Sequence, residues 1–257
     1  MEPAVLSDLL KTSYPEITHE NRLCGKHGSY LATQLASDLP FSDCPACNKE
    51  AKSRIDINEI AQRNAAAKED QITREFPRRF RSKTFDNFDP SVDPKAPEIL
   101  STMRSYAENF SVNLDAGRCL LIIGGQGTGK NHLVNALARH IIIKGYSVRM
   151  LDASDMVYRV RNTWSLRTSE TEADVLNELS KLDLLVINEL GVLSQTESEK
   201  RILFRIINRR YEDQRPSIII GNVTREEAQR ILGLPSYDRL REDGGQVLVF
   251  DWQSYRK

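Results

Sequence analysis

A phosphate chain can be held by a short loop whose backbone N–H groups face inward, and RCLLIIGGQGTGK at residues 118–130 has the composition for one. Gly124-Gly125-Gln126-Gly127-Thr128-Gly129-Lys130 fits G-x-x-x-x-G-K, directly after an apolar run and directly before a helical pattern. Glycines let the backbone curl around an anion. The helix that follows points the positive end of its dipole at the same place. Lys130 supplies a point charge for the β- and γ-phosphates. Gly124 to Lys130, with Asn131 and His132 in the first helical turn, is therefore expected to bind ATP and ADP. The residue after the lysine usually offers a hydroxyl to Mg²⁺. Here it is Asn131, whose amide oxygen ligates a hard cation less readily than an anion does.

A second constellation lies at Asp183-Leu184-Leu185-Val186-Ile187-Asn188-Glu189, an apolar strand ending in two polar residues. Nucleotide hydrolases of the phosphate-loop class hold their Mg²⁺ with an aspartate at such a strand end. Asn188 occupies that place, so one formal negative charge is missing and ATP hydrolysis is expected to be weak. Glu189 follows it, and a resemblance to AAA+ ATPases, which carry a Glu at this second position, implies that it polarises the attacking water.

The third is Cys24-Gly25-Lys26-His27 with Cys44-Pro45-Ala46-Cys47, a C-x₂-H and a C-x₂-C separated by sixteen residues. Each half can fold as a tight knuckle. Together Cys24, His27, Cys44 and Cys47 complete a closed tetrahedral Zn²⁺ site, structural rather than catalytic. The surrounding sequence is too poor in apolar residues to fold unaided, so the metal would supply folding free energy.

These groups must be positioned by three zones. Residues 1–53 form the expected zinc-binding module. Residues 54–97 read as a connecting helix (54–76, with Ile57, Ile60, Ala61 and Ala65 at helical spacing) and a proline-rich linker or extended lead-in (77–97). Residues 98–257 alternate short apolar strands with amphipathic helices. Strands are expected at 119–123, 147–151, 184–187, 218–220 and 247–250, with helices at 131–144, 154–163, 171–181, 197–213 and 224–232. Uniformly apolar strands between helices predict an α/β fold, a parallel sheet covered on both faces in three layers. Lys and Arg number 36, as do Asp and Glu, so a purely electrostatic nucleic-acid coat is disfavoured. No apolar run approaches the roughly 18 residues needed to span a bilayer, and the N-terminal stretch does not read as a secretory signal. With cysteines grouped for metal rather than disulfides, a cytoplasmic protein is expected.

With these motifs placed, residues 98–257 resemble the DnaC-type loaders of bacterial and phage replicative helicases, AAA+ relatives of the initiator DnaA and of the IstB transposition helpers. GTGKNHL at 127–133, DLLVINELGV at 183–192, INRRYEDQRPS at 207–217, YDRLREDGG at 237–245 and above all FDWQSYR at 250–256 carry the likeness. Asn131 is itself typical of that family, whereas Asn188 stands where the family normally has Asp. The resemblance implies an AAA+ ATPase core and further roles for matching residues. Asn222 is similar to the polar sensor near the γ-phosphate, Arg239 to the arginine finger offered to a neighbouring subunit, and Arg256 to the second sensor on the subunit's own nucleotide. It also places Arg159, Arg161 and Trp164 where the family lines a channel for single-stranded DNA. Trp164 either stacks on bases there or packs the helix.

The resemblance implies a loader that binds a DnaB-type replicative DNA helicase, uses ATP as an assembly switch, and helps deliver the helicase onto single-stranded DNA. Residues 1–76 would grip the helicase. The competing readings are an IstB-like transposition helper ATPase and a nucleotide-switch adaptor with negligible hydrolysis, which Asn131 and Asn188 together favour.

Overall fold

The computed structural model describes residues 17–165 and 168–254. The chain divides into two compact units, Met1–Ala66 and Ala67–Lys257.

The smaller unit is built on an antiparallel hairpin, β1 (Thr18–Cys24) and β2 (Gly28–Gln34), whose register ends on the pair Cys24–Gly28. Gly28 closes the turn at φ 78, a left-handed value that a β-carbon would oppose. Helix α1 (Pro45–Glu75) begins inside the second cysteine pair, at Pro45 rather than at residue 54. Proline suits a first helical position because its missing N–H would be unpaired there anyway. The expected packing stripe is not one. Ile60 is 57% exposed, Ala61 and Ala65 are exposed, and the side chain of Ile57 lies outside the described residues. Among the described residues of this unit only Ala32 and Cys44 are buried apolar groups.

In the larger unit the end of α1 is followed by α2 (Ala96–Glu108), α3 (Phe110–Asp115), β3 (Leu120–Gly124), α4 (Lys130–Ile143), β4 (Val148–Asp152), α5 (Ala153–Asn162), α6 (Glu172–Lys181), β5 (Leu184–Asn188), α7 (Glu197–Glu212), β6 (Ser217–Gly221), α8 (Arg225–Leu232), α9 (Leu234–Arg239) and β7 (Gln246–Phe250). The five strands form one parallel sheet in the order β4-β5-β6-β3-β7. Successive residues of a strand face opposite sides. Leu120, Ile122, Val186 and Ile218 accordingly join a core with α2 and α4, while Leu121, Ile123, Ile187 and Ile219 join one with α5, α6, α7 and α8. The three-layer α/β architecture expected from the apolar runs is the one observed.

The segment read as a linker is packed. Ile72 and Phe76 at the end of α1, and Phe85 and Phe88 beyond it, are buried in the first of these cores. On the opposite face, threonine caps with an acid three residues on start α6, α7 and α8: Thr171 with Asp174, Thr196 with Glu199 and Thr224 with Glu227. Arg210, 1% exposed, ties α7 to the end of α6 and the start of β6. Its guanidinium donates to the carbonyls of Leu179 (2.5 Å), Leu182 (3.1 Å) and Pro216 (2.6 Å) and to Ser217 Oγ (3.0 Å). Burial pushes Arg210 down to about 10, so it stays charged at neutral pH. The stretch INRRYEDQRPS thus serves the scaffold through its second arginine.

Candidate functional site

The phosphate loop leaves the carboxyl end of β3, where open parallel sheets bind ligands. Gly127 (φ 76) and Gly129 (φ 98) take left-handed conformations within it. Gly124 (φ 133) admits no side chain, because a β-carbon would sit 2.1 Å from the carbonyl oxygen of Phe250. The end of β7 therefore braces the loop from behind. Gly125 N–H donates to Phe250 O (3.2 Å), and the indole N–H of Trp252 donates to Thr128 O (3.0 Å). Trp252 is itself buried and its ring lies 4.8 Å from that of Phe250. The FDW of the closing motif is a clamp on the loop, which the sequence did not disclose.

Lys130 is 4% exposed and folds over its own loop, donating from Nζ to Gly124 O (3.0 Å) and Gly125 O (2.5 Å). A cavity of about 310 Å³ lies in front of the loop, lined by Gln126 to His132 on one side and by Glu189 and Asn222 on another. Glu189 adopts φ 56, an uncommon value for a residue with a side chain. Strain of that kind persists where the surrounding structure fixes a functional group. Asn222 Nδ2 lies 3.4 Å from Glu189 Oε2, so the two face one another across the cavity wall.

Arg79, Phe80 and Lys83 complete the lining, and sequence reasoning missed all three. Their signal was the run PRRFRSK, dense in cations around one aromatic ring, inside the supposed linker. His132 anchors the neighbouring segment. Its Nε2 lies 2.9 Å from Thr84 O and 2.8 Å from Asn87 Oδ1, two acceptors, so that nitrogen carries the hydrogen. Burial holds the ring below its usual pKa and keeps it neutral.

Asn188 ends β5 beside this cavity, and its Nδ2 donates to Asp152 Oδ1 at 2.9 Å. Its Oδ1 is buried with no partner, and so is Oδ1 of Asn135. Together with the Asn131 amide, this is a set of hard oxygen donors without nitrogen or sulfur ligands, which fits Mg²⁺.

Arg239 does not line the cavity. Its guanidinium stacks over Phe204 (5.0 Å) and Tyr211 (5.5 Å), with Nη1 buried and unpartnered. Arg256 lies outside the described residues. Of the candidate DNA groups, Arg159 is held by Glu170 and Glu178, and Arg161 by Thr196 (3.1 Å) and Glu199 (3.7 Å). Trp164 is 56% exposed, its indole N–H donating to Glu172 at 3.0 Å, so it is not a core residue.

In the smaller unit, the ligand atoms of Cys24, His27, Cys44 and Cys47 all lie within 4.8 Å of one another. The Cys24 and Cys47 sulfurs are 3.6 Å apart, and His27 Nδ1 is 3.3–3.7 Å from the three thiols. Four ligands at Zn²⁺ bond lengths of about 2.0–2.3 Å stand roughly 3.3–3.8 Å apart in a tetrahedron, so the donors fit zinc. Backbone N–H groups of Lys26 and His27 draw the Cys24 thiol down to about 6, while the hydrogen bond to Cys24 pushes the Cys47 thiol up to about 11, so of this pair Cys24 is the thiolate. Glu50, unforeseen from the sequence, accepts from His27 Nε2 at 2.9 Å and also pairs with Lys26. It stands one helical turn after Cys47, and that spacing was its only sequence signal. A carboxylate behind a ligating imidazole fixes its tautomer and raises its basicity. Glu50→Gln is expected to weaken zinc retention about 10- to 100-fold in competition with a chelating dye. Retention equal to wild type would remove Glu50 from the site.

Residues 55–242 match the family described as IstB-like ATP binding protein. The chain is 30% identical over 220 residues to the replicative helicase loader DnaC of Buchnera aphidicola subsp. Acyrthosiphon pisum (strain APS), covering 84% of this chain and 86% of the relative. It is 33% identical over 173 residues to DnaC of Escherichia coli (strain K12), covering 67% and 69%. A crystal structure of the DnaC helicase loader superposes with a TM-score of 0.59 at 23% identity, over 67% of this chain and 99% of that one.

Proposed function

Because this chain belongs to the IstB-like ATP-binding family of AAA+ proteins, we propose that it is a replicative helicase loader whose ATP site switches its assembly on single-stranded DNA. The observation that carries this reading is the likeness to DnaC relatives over 84% of the chain, well beyond the phosphate loop. Within it, the loop and Lys130 bind the triphosphate, while Arg79, Phe80 and Lys83 close the cavity from the side. Side-chain oxygens of Asn131 and Asn188 would hold Mg²⁺, which when bound offsets charge on the phosphates. Glu189 orients the attacking water and Asn222 steadies Glu189. Hydrolysis is slow, since no carboxylate stands at position 188.

Arg239, off the chain's own cavity, acts on the ATP of a neighbouring copy, and Arg256 on the chain's own nucleotide. Arg159 is committed to carboxylates, which leaves Trp164 as the stacking group for single-stranded DNA. The zinc unit grips the DnaB-type helicase. It exposes Leu23 (82%), Leu31 (58%) and Leu35 (58%), apolar surface of the kind partner proteins cover. Among the described residues no helix is long and apolar enough to cross a membrane, and we place the loader in the cytoplasm.

The test is capture of the host's replicative helicase by the tagged full chain. Capture independent of ATP is expected, and its loss when residues 1–66 are removed while ATP binding persists. Capture by the truncated chain would overturn the division of labour. Capture of a transposase in place of the helicase would support the IstB-type reading instead.

A further inference from the structure

The parallel register of β4 and β5 sets Asp152 opposite Asn188, each the last residue of its strand. Their side chains meet at 2.9 Å between Asn188 Nδ2 and Asp152 Oδ1. A carboxylate can only accept, so this contact settles which end of the amide points which way. The NH₂ is turned to Asp152, and Oδ1 is turned away, buried and without a partner. It is an acceptor held ready at the strand end beside Glu189.

A recess of about 180 Å³ is lined by Asn188, Asp152, Asp155, Asn131 and Asn135, and it shares Asn131 and Phe80 with the nucleotide cavity. Amide and carboxylate groups gather here among apolar Met150, Leu151 and Ile220, and Glu75, also in the lining, is spent on Arg149 and the Met150 N–H. Asn135, 3% exposed, lines the same recess. Its Nδ2 is spent on Asn131 O at 2.6 Å, and its Oδ1 has no partner. Two unpaired amide oxygens are costly to bury unless something supplies positive charge or hydrogens to them. Mg²⁺ that keeps several of its waters does both.

We propose that Asp152 takes over the charge that position 188 lacks: it locks the Asn188 amide with Oδ1 toward the cation and sets a carboxylate beside the cation's water shell. The carboxylate has been moved one strand across the sheet, and Asn188 is the link between it and the nucleotide. Asp152 is a positioning residue in this arrangement. The proposal rests on the nucleotide-binding reading above and specifies how that site handles its metal. It also changes what an acid at 188 would do. Asn188→Asp alone would set two carboxylates where one amide and one carboxylate are now hydrogen-bonded, and like charges at that distance repel.

The test reads binding rather than turnover: affinity of the full chain for a fluorescent ATP analogue, with Mg²⁺ and with EDTA. Wild type is expected to bind more tightly with Mg²⁺. Asp152→Asn should reduce that Mg²⁺ enhancement about 10-fold or more while leaving affinity in EDTA unchanged, the usual scale for losing an outer partner of a metal ligand. The swapped pair Asp152→Asn/Asn188→Asp should regain it, because one carboxylate and one amide again share the site. Wild-type enhancement in Asp152→Asn, or no recovery in the swap, would overturn the proposal. A wild type that binds ATP equally with and without Mg²⁺ would also overturn it, yet leave the phosphate loop standing. Absence of ATP binding both with Mg²⁺ and in EDTA would refute the nucleotide site itself.

Discussion

Lys130→Ala is expected to abolish measurable ATP and ADP binding at micromolar nucleotide, while the protein still folds. The side chain is 4% exposed and already occupied, donating to Gly124 O and Gly125 O across its own loop. A bound triphosphate offers it charged oxygens in exchange for neutral carbonyls, and charge-assisted hydrogen bonds are about twice as strong as neutral ones. Truncating one partner of a desolvated charge pair costs about 2–5 kcal/mol. That is roughly 30-fold to several thousand-fold in affinity, at about 1.4 kcal/mol per factor of ten. The fold survives because the loop has other supports. Gly125 N–H is held by Phe250, Thr128 O by Trp252, and Thr128 Oγ1 donates to Gly125 O at 2.9 Å. Titration with a fluorescent nucleotide decides it: affinity within threefold of wild type, on the order of 0.6 kcal/mol, would sink the assignment.

The elements legible in the sequence are those whose signal is local. The inner strands β3, β5 and β6 are runs of three or four apolar residues buried on both faces, while β4 and β7 at the sheet's edges are only partly buried, and Leu120–Ile123 and Leu184–Ile187 could be bounded to within a residue. The phosphate loop and the two cysteine knuckles are fixed spacings along the chain, and the fold brings each to the place its spacing implied. What stayed hidden depends on distant partners. Trp252 reaches the loop across more than a hundred residues, and Asp152 meets Asn188 only through the register of neighbouring strands. Arg159 looked available for DNA because Glu170 and Glu178, on other segments, could not be placed beside it. The helix at 54–76 misled in another way. Its apolar residues have helical spacing, yet Ile60 faces solvent, and the groups that pack are Ile72 and Phe76. Periodicity reports that a helix has a face, not that the chain itself covers it.

Removing zinc is expected to unfold the smaller unit and to leave the larger one able to bind nucleotide. Among its described residues only Ala32 and Cys44 are buried apolar groups, and a lone hairpin such as β1–β2 is marginal in water. Units this small need a staple, and four ligands around Zn²⁺ can contribute about 10–16 kcal/mol of apparent binding free energy to folding. Cys44 is the buried ligand, 7% exposed, and it starts α1 through the bond from Asn48 N–H to its carbonyl at 3.0 Å. Cys44→Ser replaces a thiolate with a hydroxyl that stays protonated at neutral pH, so the tetrahedron loses a ligand and the two knuckles lose their bond. The expected outcome in the full chain has three parts. Elemental analysis finds zinc near one per chain in wild type and near zero in the variant. Hydrogen exchange of amides in 18–34 becomes fast. ATP affinity stays within a factor of about two, because the larger unit, with more than forty buried apolar residues, has its own core. Slow exchange persisting in the hairpin after complete loss of zinc would show that the unit folds without metal. Loss of ATP binding together with the zinc would show that the two units fold as one.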